Sequence, residues 1–251
     1  MVGYQNKAAV GGSLFSFTAS TFERVDGESM TLGDLQLIYT GEEVSETSQN
    51  IWTLDQGGAT KHAYYYVNRQ AAIDNWGCET EEEIADAVGW YSDLYCTEKA
   101  DDTPMPYGQG FAVVSADPID VAFNGAVRKG EATVDIVGGS LFNFSGNILP
   151  VDYTLGDLAL IYTGEEVSET SQNIWTLDQG GATKHAYYYV NEQAAIDNWG
   201  CETPEEIADA VGWYSDLYCT EKANDEPMPA GQGFAIVSAD SIQLWVPSPL
   251  K

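Results

Sequence analysis

The residues of this chain that could do chemistry come in matched pairs. Its two histidines are His62 and His185, and its four cysteines are Cys78, Cys96, Cys201 and Cys219. Nucleophilic catalysis would need His62 beside a serine such as Ser92 and an acid such as Asp93. No G-x-S-x-G elbow or comparable context frames a serine, so His62 reads as a strand residue held by its neighbours. Glycoside hydrolysis needs only two carboxylates at the right separation. With 39 Asp and Glu in the chain, such pairs carry no specificity. No catalytic residue is assigned, and an enzyme ranks third among the readings.

Metal chemistry is narrowed by the same inventory. One histidine per copy and no C-x-x-C spacing argue against zinc. Calcium accepts six to eight oxygens on irregular backbone, and Glu42, Glu43, Glu46, Asp101 and Asp102 offer them, without an EF-hand loop. No other cofactor is expected. Four cysteines allow three pairings. Two self-sufficient folding units favour Cys78–Cys96 and Cys201–Cys219, with four buried thiols as the alternative. Paired cysteines would point to an oxidising compartment.

Aromatic residues give the sharper binding hypothesis. Tyrosine and tryptophan faces stack on sugars, and neighbouring polar groups bond to hydroxyls. His62, Tyr64, Tyr66, Trp76 and Trp90 are the candidate glycan face, with His185, Tyr187, Tyr189, Trp199 and Trp213 as their mates. The competing reading places these rings in the core.

The pairing comes from a long internal repeat. Residues 40–100 recur as 163–223, and of 61 positions two differ: Arg69 becomes Glu192 and Glu81 becomes Pro204. A repeat this long is a domain and not a solenoid unit, so the chain divides into 1–127 and 128–251. Within 40–100 there are 12 acids against 3 bases, and within 163–223 there are 12 against 2. The chain as a whole carries −29. Such a field repels nucleic acid and anionic membranes, and no apolar run reaches transmembrane length.

Short alternating segments dominate each copy. Residues 51–55 and 60–67 read as a hairpin through Gln56-Gly57-Gly58-Ala59, with Ala63, Tyr65 and Val67 facing the core. Thr80 and Glu83 form a capping box for a helix whose inner face is Ile84, Ala87, Val88 and Tyr91. Pro204 stands at its first turn in the second copy. A weaker helical turn falls within 68–76, and residues 91–107 read as a loop. Residues 18–30 are longer than their counterpart 145–153, which marks a surface loop. At the junction, 121–127 and 132–137 read as strand, tight turn, strand. About seven strands and one short helix per copy predict two tandem antiparallel β-sandwiches of jelly-roll or immunoglobulin-like type.

The order T-L-G-D-L (Thr31 to Leu35 and Thr154 to Leu158), G-W-Y (Gly89 to Tyr91) and P-x-G-x-G-F (Pro106 to Phe111) resembles the repeat units of secreted bacterial tandem-repeat β-domain proteins. That resemblance implies export and a β-rich fold, not an activity. A strand-like segment directly after Met1 fits a mature exported chain. The leading expectation is a non-enzymatic secreted or cell-surface structural and adhesive protein, a rigid acidic two-domain rod. Its partner would be another copy, joined end to end: residues 2–10 of one molecule would take the place of 132–137 beside 119–127, giving filaments. The second reading is a bivalent module for surface glycans.

Overall fold

Alternating apolar residues broken by glycines build antiparallel sheets in both halves of the chain. The computed structural model describes residues 2–9, 11–12, 14–19, 21–24, 26–37, 43–44, 50–54, 60–106, 108–127, 132–139, 141–147, 151–160, 173–177 and 184–246. The first half contains β1 (Val2–Ala9), β2 (Leu14–Ala19), β3 (Met30–Thr31), β4 (Gln36–Leu37), β5 (Asn50–Leu54) and β6 (Lys61–Val67). Two helices follow, α1 (Arg69–Asp74) and α2 (Glu81–Ala87), then β7 (Gly89–Tyr91), β8 (Pro104–Met105), β9 (Gly110–Ser115) and β10 (Ile119–Ala126). The second half repeats the order with β11 (Ala132–Ile136), β12 (Leu141–Gly146), β13 (Tyr153–Thr154), β14 (Ala159–Leu160), β15 (Asn173–Leu177) and β16 (Lys184–Val190). It closes with α3 (Glu192–Trp199), α4 (Pro204–Ala210), β17 (Gly212–Tyr214), β18 (Pro227–Met228), β19 (Gly233–Ser238) and β20 (Ile242–Val246).

Each half is mainly β and layered. A five-stranded sheet, in the order β2-β9-β5-β6-β7, lies against a three-stranded sheet, β1-β10-β4. Ile51, Tyr66, Trp90, Phe111 and Val113 from the larger sheet meet Ala9, Leu37, Ile119 and Val121 from the smaller in one buried cluster. The second half repeats this with Ile174, Tyr189, Trp213, Phe234 and Ile236 against Ile136, Leu160, Ile242 and Leu244. Burial of each such aliphatic side chain is worth about 1.5–3 kcal/mol. Both sheets are antiparallel throughout. The expected hairpin partners pair as β5 with β6, from Asn50–Tyr65 to Leu54–Lys61; its turn lies outside the described residues.

Both faces of the larger sheet are covered, which corrects the expected inward face of β6. Tyr66 and Tyr64 point into the sandwich core. Val67 points the other way, under a cap of two helices with Ala71, Ala72, Ile84, Ala87 and Tyr91. Each half therefore carries two short α-helices: the expected helical turn within 68–76 forms α1 beside the capped helix α2. Asn68 starts α1 by accepting from the Ala71 amide at 2.9 Å, and Thr80 starts α2 through the expected capping box. Pro204 opens α4 as the sequence predicts.

The second helix stops earlier than its apolar spacing suggests. Gly89 has φ +140, and a Cβ there would lie 2.5 Å from the Asp101 carboxylate. The chain turns at that point into β7, so Tyr91 reaches the cap from a strand and not from the helix. The expected loop 91–107 likewise contains strand β8 and a bridge from Tyr91 to Lys99.

Two further expectations are corrected. The longer segment of the first copy is surface only over residues 26–29: ahead of that turn Phe22 joins the core cluster, and Glu23 and Ala126 exchange backbone hydrogen bonds of 3.0 and 2.7 Å. At the junction, β10 pairs with β1 and β4, whereas β11 pairs with β20. Residues 2–9 thus already occupy the place beside β10 that an incoming molecule was expected to fill. Strand addition of that kind has no vacancy to enter.

The halves instead meet through β2 and β12. Phe17 and Phe144 lie 4.8 Å apart. The Thr18 hydroxyl donates to the Gly231 carbonyl at 2.8 Å, and the Ser145 hydroxyl donates to the Gly108 carbonyl at 2.8 Å. Ala19 of the first half is buried within the second half's core cluster.

Candidate functional site

The candidate glycan residues are divided between the two faces of the larger sheet. Trp90 is 1 % exposed, packs 4.9 Å from Tyr66, and donates its indole N–H to the Leu35 carbonyl at 3.0 Å. Trp213 and Tyr189 repeat this at 4.8 Å, with the indole bonded to Leu158 at 2.9 Å. Burial raises both phenols, and the nearby Asp101 charge adds to the shift at Tyr66. These four rings are core, not surface. His62 stacks on Tyr64 at 6.3 Å and His185 on Tyr187 at 6.5 Å, on the core side of their strands. Trp76 and Trp199 lie on the opposite side, edge-on to Tyr91 and Tyr214 at 5.6 Å. The ten residues do not form one aromatic face.

The Ser92, Asp93 and His62 option is not assembled either. The Ser92 hydroxyl donates to Glu98 at 3.2 Å. The Asp93 carboxylate accepts from the amides of Tyr95, Thr97 and Glu98 at 2.8–2.9 Å. Burial pushes Asp93 up, yet those three amides outweigh it and hold the carboxyl below its usual range. Its work is to shape the loop that carries Cys96.

That loop decides the cysteines. All four are free thiols, so the expected Cys78–Cys96 and Cys201–Cys219 bridges are not formed. Each pair instead packs at the margin of the small apolar cluster beneath the helices. Cys96 and Cys219 have left-handed backbone, φ 52, a conformation uncommon for side chains other than glycine. Burial pushes their thiols up to about 11, with the neighbouring Asp93 and Asp216 adding to the shift. They are protonated apolar filler at neutral pH.

The calcium candidates are scattered. Glu42 and Glu46 lie outside the described residues, and Glu43 and Asp102 are exposed. Among the described residues no group of three His, Cys, Asp or Glu could hold a metal ion. The Asp101 carboxylate accepts from the Trp90 amide at 2.8 Å, and Asn224 accepts from the Trp213 amide at 2.7 Å in the same place. An amide that substitutes for the acid shows that an acceptor, not a charge, is what the position needs.

Two surfaces remain. The first is the helical cap. Lys99 donates to the carbonyls of Ala87 and Val88 at the end of α2 and lies 4.6 Å over the Tyr91 ring. Burial lowers the Lys99 ammonium. The Tyr91 hydroxyl donates to Ala87 at 2.6 Å, and burial, then the Cys96 and Asp101 charges, push it up to about 12. On this base Ile73, Trp76 and Tyr95 stand exposed, Trp76 by 40 % and Tyr95 by 86 %; Trp199 and Tyr218 have the same exposures. Tyr95 and Tyr218 were not singled out by sequence, because their accessibility depends on the Asp93 and Asp216 turns.

The second is a cleft of about 570 Å³ where the halves meet. The first half contributes Thr53, His62, Tyr64 and Gln109, and the second contributes Thr133, Asp135 and Phe144. Sequence places His62 and Tyr64 on a binding face but gives no sign of the opposing wall, which exists only through the contact of β2 with β12.

Comparison with family models, curated proteins and solved structures finds no match to this chain.

Proposed function

We propose that this protein is a non-enzymatic adhesive protein of the secreted or cell-surface kind, which attaches bivalently to surface glycans through its two helical caps. The observation that carries the reading is the doubling of one exposed aromatic set. Ile73, Trp76 and Tyr95 recur as Ile196, Trp199 and Tyr218, with matching exposure. Core positions elsewhere have changed between the copies, as Ala9 to Ile136 and Val121 to Leu244. Exposed rings beside the Gln70–Asp74 and Gln193–Asp197 hydrogen bonds, 2.8 and 2.9 Å, suit sugar faces and hydroxyls. Two weak sites on one rigid body gain avidity of about 10²–10⁴. The free thiols lend no support to an oxidising compartment, so export rests on the resemblance of the short motifs.

The test is binding to immobilised glycans by the intact chain and by Trp76→Ala/Tyr95→Ala, Trp199→Ala/Tyr218→Ala and the fourfold variant. Each double variant should retain single-site binding and lose avidity, and the fourfold variant should not bind. Equal binding by all four proteins, or no glycan bound by any, refutes the reading.

A further inference from the structure

We propose that the cleft between the halves is a separate binding site for a short neutral saccharide, one per chain. Its volume, about 570 Å³, falls within the range of small-ligand sites. Its walls are evenly mixed. Tyr64 and His62 bring two rings to it, stacked at 6.3 Å with their planes 24° from parallel, while Thr53, Gln109 and Thr133 bring hydroxyls and an amide to the same space. An apolar ligand would leave those polar groups without partners, which is costly when water is excluded. An anion is disfavoured on two counts. No lysine or arginine is among the described lining residues, and the chain carries −29. A cation would find one carboxylate, Asp135, which already accepts from Gln243 at 2.7 Å. A neutral polyol with an apolar ring face meets every one of these conditions.

The amide of Asn143 is also in the wall but is already used. It accepts from the Val137 amide at 3.1 Å and donates to the Val137 carbonyl at 2.9 Å, so it fixes the β11–β12 corner. One site per chain follows from the sequence of that corner. Aligning Gly11-Gly12 with Gly138-Gly139 sets Asn6 and Ala8 where the second half has Thr133 and Asp135. The position that mirrors this wall for His185 and Tyr187 therefore has neither the threonine nor the aspartate in its sequence.

The experiment is titration calorimetry with saturation-transfer NMR on the intact chain, using maltotriose, cellotriose and chitotriose, with trigalacturonate as the charged control. At least one neutral trisaccharide should bind at one per chain, and trigalacturonate should not. Thr133→Trp, at an exposed position, should block the cleft and abolish binding. Gln109→Ala, which adds no bulk, should weaken it about tenfold. The cap variants Trp76→Ala and Trp199→Ala should leave it unchanged. Absence of binding by all three neutral sugars, or binding that survives both cleft variants, overturns the proposal. Binding at two per chain that is lost only in the cap variants overturns it too, and supports the adhesive reading.

Discussion

Arg69 and Glu81, which are the two positions that differ within the 61-residue repeat, are bonded to each other. The guanidinium donates to the carboxylate twice, at 2.8 and 2.6 Å, and so ties α1 to α2 across the surface of the cap. In the second half Glu192 and Pro204 stand in their places. Either change alone would leave its partner unmatched, and the Arg69 change alone would set two carboxylates face to face. Arg69→Glu should therefore lower the melting temperature, and adding Glu81→Pro should restore it. The pair is exposed, so the loss should shrink in molar salt. A double-mutant cycle by thermal melting with no coupling between the two sites would contradict this.

Asp101→Asn should be close to neutral, since Asn224 already does the same work in the second half. Asp101→Ala should cost about 1–3 kcal/mol, because the Trp90 amide loses its acceptor. Urea unfolding of the three proteins, with calcium and with chelator, checks both points. A calcium-dependent stabilisation that disappears in Asp101→Asn would reinstate the metal ligand.

Stability should fall on the alkaline side. Cys96 and Cys219 are raised from 9.0 to about 11, and Tyr91 and Tyr214 from 10.0 to about 12. For each of these acids the unfolded chain releases its proton first. The contribution is whole below the unfolded value and is lost as pH rises through the folded one. The lowered Lys99 and Lys222 act in the opposite sense just below 10.5. With the raised phenols of Tyr66 and Tyr189 that makes six groups against two, so melting temperature should decline between pH 9 and 12, and the decline should be smaller in Cys96→Ala/Cys219→Ala. At neutral pH these two thiols should react slowly with iodoacetamide until the protein unfolds.

Some of this was legible in the sequence and some was not. Thr80 and Glu83 announced α2 because a capping box is read from four adjacent residues, and Pro204 repeated the message. The end of that helix was hidden, since it depends on Asp101 filling the space beside Gly89. Alternation in β6 could not say which face was inward, because helices cover one side and the second sheet covers the other. The Trp90 ring, a candidate surface by sequence, is core for the same reason. Strand partners were the least visible: the adjacency of 121–127 and 132–137 suggested a hairpin, whereas each strand found its mate more than a hundred positions away.

Gly110→Ala and Gly233→Ala should each loosen the junction. A Cβ on Gly110 would collide with the Ser145 backbone, and one on Gly233 with the backbone of Phe17 and Thr18. Backbone cannot step aside as a flexible side chain can, and a cost of about 1–3 kcal/mol is expected. Small-angle scattering should record a larger radius of gyration while each cap keeps its tyrosine environment. Unchanged scattering in both variants would mean that the halves are held by other contacts.

The reciprocal bonds from Thr18 to Gly231 and from Ser145 to Gly108 are related by exchange of the two halves, and Phe17 meets its own counterpart Phe144. That is the signature of a two-fold self-complementary interface, the kind that closes a homodimer. The covalent link between the halves then adds concentration and not geometry. A half-length ancestor could have paired with itself through the same surface, and fusion would have freed each copy of the dimer to diverge separately. Once the partners were fixed in one chain, one wall of the shared cleft could change without changing the other.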